Sequence, residues 1–180
     1  MNTEQVKHNA IVGFFFIAIL GTLLHFTYEW SGNSIAFSWF SAINESVWEH
    51  LKIAVIPVFI WTMIEILFLK RSYTNWATSL LFEVLVLMVF IPVVFYTYTS
   101  FTKHSILWVD ITTFYLAIML GQWLAYQIRI LEPIGLYMDL MAAILVIIIL
   151  TLFVIFTFYP PRLEIFRDSV DHTYGVYKVT

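Results

Sequence analysis

His25 and Glu29 stand four residues apart, and the same interval returns at Glu45/Glu49 and at Ser46/His50. On a helix that spacing puts both side chains on one face, within reach of a common ion. Imidazole and carboxylate together suit zinc, with iron or manganese as alternatives, and a metal so held can activate water as a nucleophile. Asp110, and farther on Asp168, Asp171 and His172, add to this inventory. Cysteine is absent, which excludes disulfides, thiolate ligands and cysteine nucleophiles.

The elements that must position these groups read as membrane helices. Of the 180 residues 61% are apolar and 12% charged, against a soluble average of roughly 25% charged. A spanning helix takes about 20 mostly apolar residues, and residues 10–28, 53–69, 76–101, 106–128 and 136–159 approach that length. The expected fold is all-α: a polytopic membrane bundle of five transmembrane helices, forming a single membrane domain over residues 1–180. A short interfacial helix is expected between Ser34 and Leu51, where Phe37, Trp39 and Phe40 sit among serines. The tail, 160–180, is too apolar to be disordered and should fold back on the bundle or lie on the membrane surface. The first apolar run is too long for a signal h-region and lacks a small-x-small cleavage pattern, so it is expected to be retained.

Punctuation follows the same logic. Ser46-Val47-Trp48-Glu49 fits the capping box that starts a helix. Pro57 and Pro92 should kink spans two and three, Lys70-Arg71 closes span two, and Pro160-Pro161 stops span five. With five spans, parity places His25, Glu29, Glu45, Glu49, His50, His104, Asp110 and His172 on one side and leaves only His8 on the other. The opposite side collects Glu65, Glu83, Arg129, Glu132 and Asp139, which suggests an ion-pair network clasping the bundle.

The candidate metal ligands are therefore His25, Glu29, Glu45, His50 and His172. Glu49 or Asp110 is the candidate general base, provided burial tunes it to the task, and Ser46 completes the catalytic set. Each has a plainer reading. His25 and Glu29 can bond to interfacial groups, Glu49 and Ser46 can serve only the cap, His104 can simply be solvated, and the tail can be an amphipathic anchor. Asp110 is harder to explain away, since an acid within a span costs roughly 2.5–3.5 kcal/mol on insertion scales.

The segments 25–32 (HFTYEWSG), 44–52 (NESVWEHLK) and 172–175 (HTYG) resemble a family of small bacterial and archaeal integral membrane proteins that forms a domain of unknown function. The resemblance spans the whole chain and implies a multi-pass protein of a prokaryotic cell membrane, without an activity to carry over. More loosely, the chain is similar to membrane hydrolases of the alkaline ceramidase type in setting serine, aspartate and histidines at one end of a bundle. It departs from them in having five spans rather than seven and no His-x-x-x-His pair.

Cations near span ends favour, by a thin margin, a cytoplasmic amino terminus and an outward-facing histidine side. The leading functional expectation is a metal-dependent hydrolase in which metal-activated water attacks a lipid-like or other amphiphilic substrate. A transporter or channel using Glu65, Glu83, Asp110 and Asp139 as a proton or cation path, and a purely structural membrane protein, are the alternatives. Membrane lipid is the expected partner, with homo-oligomers open; no basic stretch suggests nucleic acid.

Overall fold

The computed structural model describes residues 3–67 and 74–177. Among them the chain forms α1 (Thr3–Trp30), α2 (Ile35–Ser38), α3 (Val47–Leu67), α4 (Trp76–Thr102), α5 (Leu107–Arg129) and α6 (Leu136–Phe158), then a 3₁₀ turn at Glu164–Phe166. α1, α3, α4, α5 and α6 are each long and apolar enough to cross a membrane. Their outward surfaces carry exposed Phe15, Ile19, Val89, Val93, Ile144 and Ile147, a surface that lipid tails solvate as readily as leucine does.

Two helices start ahead of their apolar runs. α1 reaches back to Thr3, with Val6 and Asn9 already buried. α3 begins at Val47 because Glu49 and Lys52 neutralise each other inside the bundle, so the helix enters the packed interior before the uncharged stretch opens at Ile53. Pro57 and Pro92 lie within continuous helices. The Lys70-Arg71 close of span two, and Lys178 of the tail, lie outside the described residues.

α1 packs on α3 and α5, while α4 contacts α3, α5 and α6. Ile17, Leu51, Val55, Val58, Val84, Leu87, Ile118 and Phe153 fill the interior between them. Helix association in lipid depends on close packing rather than on expulsion of water, and Gly21 shows how close. A Cβ there would stand 2.8 Å from the Ile53 carbonyl of α3 and 2.7 Å from Phe114 of α5.

The tail does fold back. Phe166 packs against Trp48 and Phe156, with ring centroids 4.8 Å and 5.2 Å apart, and the Val176 N–H donates to the Thr157 carbonyl at 3.0 Å. At the other end, Asn75 binds the α5–α6 turn: its Nδ2 donates to the Ile128 and Glu132 carbonyls and its Oδ1 accepts from the Ile134 N–H. Asp139 of α6 accepts from the Thr78 N–H and hydroxyl at 2.8 Å and 2.9 Å, satisfying a free amide at the start of α4.

Candidate functional site

The site is built where α1 leaves the bundle and α3 enters it. One turn before His25, Gly21 lets α1 lie against the backbone of α3 near Ile53, and one turn before Ile53 stands His50. The two imidazole rings come to a centroid distance of 5.1 Å. The connection between the helices is stitched to the last turn of α1 through Ser41, whose Oγ accepts from the Tyr28 N–H at 2.9 Å and donates to the Leu24 carbonyl. That connection delivers Glu45. One donor atom each from His25, Glu45 and His50 lies within 4.8 Å of the others.

His50 is oriented by its own helix. Its Nδ1 lies 2.9 Å from the Ser46 carbonyl. A carbonyl can only accept, so Nδ1 carries a proton and Nε2 is the nitrogen left facing outward. Nε2 then faces Glu45 Oε2 at 3.5 Å, a spacing that a shared proton or a metal cation can bridge. Fixing one ring nitrogen on a backbone carbonyl is the arrangement that orients metal-ligating histidines. His25, half-buried, has its Nδ1 without a hydrogen-bond partner among the described residues.

Glu45 and His50 line a cavity of about 110 Å³ together with Asp110 and Thr113 of α5, under apolar walls from Ile91, Phe95 and Phe114. Asp110, in the first turn of α5, where the helix dipole favours an acid, accepts from the Tyr98 hydroxyl at 2.6 Å. That hydroxyl accepts in turn from the Ile106 N–H at 3.1 Å, so the α4–α5 hairpin holds Asp110 at the cavity wall.

The tail adds a second wall. Asp168, buried, accepts from the Glu45 N–H at 3.1 Å through Oδ2 and from the Val170 and Asp171 N–H groups through Oδ1. It ties the tail to the residue that bears the candidate carboxylate ligand. His172, exposed and in the left-handed region at φ 61°, lines an adjoining cavity of about 130 Å³ with Glu45, Arg167 and Asp168. It is not among the converging donors, nor is Glu29, which stays exposed one turn beyond His25. His104 is exposed in the α4–α5 connection.

Glu49 and Ser46 face inward. Half of the capping box forms: the Glu49 N–H donates to Ser46 Oγ at 3.3 Å. The reciprocal bond is replaced, because the Ser46 N–H donates to Asn44 Oδ1 at 3.0 Å and the Glu49 carboxylate turns to Lys52, Thr157 and the Ile43 N–H. A buried ammonium is a stronger demand on a carboxylate than a helix-start amide. Lys52, fully buried, also donates to the Ser38 carbonyl at 2.7 Å and Thr157 Oγ1 at 2.9 Å, closing the end of α2. Lys52 and Thr157 are the functional neighbours the sequence reading missed. The signal that points to Lys52 is its i,i+3 spacing from Glu49, which the sequence displays.

No curated protein and no solved structure matches the chain. The model of one family covers almost its full length, residues 1–176, and the chain belongs to that family of unknown function, DUF6512.

Proposed function

We propose that the protein is a metal-dependent membrane hydrolase acting on a lipid-like substrate, with His25, Glu45 and His50 as the metal ligands. The observation that supports this reading is His50 Nε2 facing the Glu45 carboxylate at 3.5 Å, with a donor atom of His25 in the same small volume. Two imidazoles and one carboxylate with open positions are the ligand set of catalytic zinc and also of non-haem iron. A divalent ion held there would supply an acidified water and polarise a carbonyl or phosphoryl oxygen.

The other residues have roles the geometry favours. Asp110 is the acid beside the cavity and serves as general base. Glu49, engaged with Lys52 and Thr157, supports the frame. Ile91, Phe95 and Phe114 offer apolar contact for an acyl or isoprenoid segment, while Asp168 and the tail roof the polar end.

Elemental mass spectrometry on detergent-purified protein tests the reading. Wild type should carry near-stoichiometric zinc, iron or manganese, and folded His25→Ala and Glu45→Ala variants should lose it. A wild type that remains metal-free after reconstitution with these ions would overturn the metalloenzyme reading. A loaded protein inactive across ester, amide and phosphoester lipids would overturn the hydrolase reading alone.

A further inference from the structure

At the far end of the bundle from His25 and His50, charged groups among the described residues are buried out of proportion to their counter-charges. Glu65 of α3, Glu83 of α4 and Arg129 of α5 are all fully buried. Arg129 Nη1 meets Glu65 Oε2 at 2.8 Å, its Nε donates to Ser79 Oγ at 3.0 Å, and its guanidinium lies 4.9 Å from the centre of the Trp76 ring. Asn9 of α1 hydrogen-bonds to Glu65. Glu83 has a neutral partner instead: Gln122 Nε2 donates to its Oε1 at 2.5 Å.

Among the described residues, the charged and titratable groups facing Glu83 are Glu65 from α3 and Arg129 from α5. These two carboxylates and one guanidinium leave one negative charge in excess among the described residues. An uncompensated buried charge costs several kcal/mol in a protein interior, and a membrane offers no water to relieve it. An anion would worsen the imbalance.

A second observation points to what corrects it. Thr62 Oγ1, Glu65 Oε1, Glu83 Oε2 and Gln122 Oε1 are buried oxygens without a hydrogen-bond partner among the described residues, where such atoms are ordinarily satisfied. Trp61 Nε1, Arg129 Nη2 and the Thr62 hydroxyl itself are donors that are also unpartnered among the described residues. Donors can quieten lone pairs, but none of these adds positive charge that is not already counted. Glu83, with a neutral hydrogen-bond partner on one oxygen and an unpartnered second oxygen, is the group that a hard cation of charge +1 would balance.

The group also borders a cleft. Gln122 lines a cleft of about 590 Å³ between α1 and α5, walled by Phe14, Phe15, Met119 and Trp123 and bordered by Glu4 and Lys7. The amide bound to Glu83 therefore stands at the wall of an open cleft.

We propose that this group is a binding site for one monovalent cation, a proton or a sodium ion, held by Glu83 with Glu65 and Gln122 and reached past Gln122 from the α1–α5 cleft. The site is independent of the histidine cluster, and neither reading requires the other.

Infrared spectroscopy and thermal unfolding of the detergent-purified full chain at neutral pH, in sodium chloride and in choline chloride, test the proposal. If the cation is a proton, wild type shows the carbonyl band of a protonated carboxyl, the band shifts on exchange into D2O, and Glu83→Gln removes it. If it is sodium, that band is absent in sodium chloride and the wild-type unfolding midpoint rises by roughly 5 °C or more over choline chloride, a rise that Glu83→Gln abolishes. A wild type showing neither signal overturns the proposal without recourse to any variant. So does a carboxyl band that D2O leaves unmoved, or either signal persisting in folded Glu83→Gln.

Discussion

Lys52 and Glu49 form a pair that the bundle cannot accommodate singly. Both are buried and directly ion-paired, with Thr157 and the Ser38 carbonyl completing their hydrogen bonds. Lys52→Met should strand the carboxylate and destabilise the fold by about 3–5 kcal/mol, whereas Lys52→Met combined with Glu49→Leu should recover most of that loss. Unfolding in mixed micelles measures both, and equal stability of the single variant and wild type would refute a structural role for the pair. His25, Glu45 and His50 could be nominated from residue type, spacing and parity, because those depend only on local geometry. Glu29 satisfied the same criteria and lies outside the converging set. Its spacing from His25 guarantees a shared helix face, but not that α3 approaches α1 at that level.

At the level of elements, the helix crossing at Gly21 sets the distance between the two imidazoles. Gly21→Leu should force α1 away from Ile53 and Phe114, cost about 1–3 kcal/mol as overpacking, and abolish metal retention at the proposed site. An outward substitution such as Ile19→Leu should leave both unchanged. Retention of metal by a folded Gly21→Leu protein would show that the crossing does not build the site. The tail acts through Asp168. Asp168→Ala removes the acceptor for the N–H groups of Glu45, Val170 and Asp171. It should expose residues 160–177 to limited proteolysis and weaken metal binding roughly 10- to 100-fold, as loss of an outer-shell contact does. Unchanged protease resistance would sink this account of the tail. The tail's return was legible from its apolar content, whereas its anchor was not, since the Asp168 to Glu45 bond joins residues 123 positions apart.

For the whole molecule, the histidine cluster and the Glu65–Arg129–Glu83 group mark opposite ends of one bundle. The absence of cysteine makes this directly testable. Single cysteines at His104 and Glu132 should be labelled from opposite sides of intact cells, with an impermeant maleimide reaching position 104 and only a permeant one reaching 132. The reverse pattern would invert the proposed orientation; labelling of both from one side would contradict the five-span path.

Composition and the lengths of the apolar runs were enough to establish an all-helical chain with five potential spans, because a bilayer imposes a length and a polarity that can be counted along the chain. Parity then sorted the histidines from the arginine–acid group without any knowledge of packing. Only the tertiary structure decided which acids converge: Glu45 toward His50, Glu49 inward to Lys52, Asp110 onto the shared cavity. Those choices rest on how far each helix is rotated and how closely its neighbour approaches, and these are set by contacts such as Gly21 on Ile53 and Thr157 on Glu49, between residues remote in sequence.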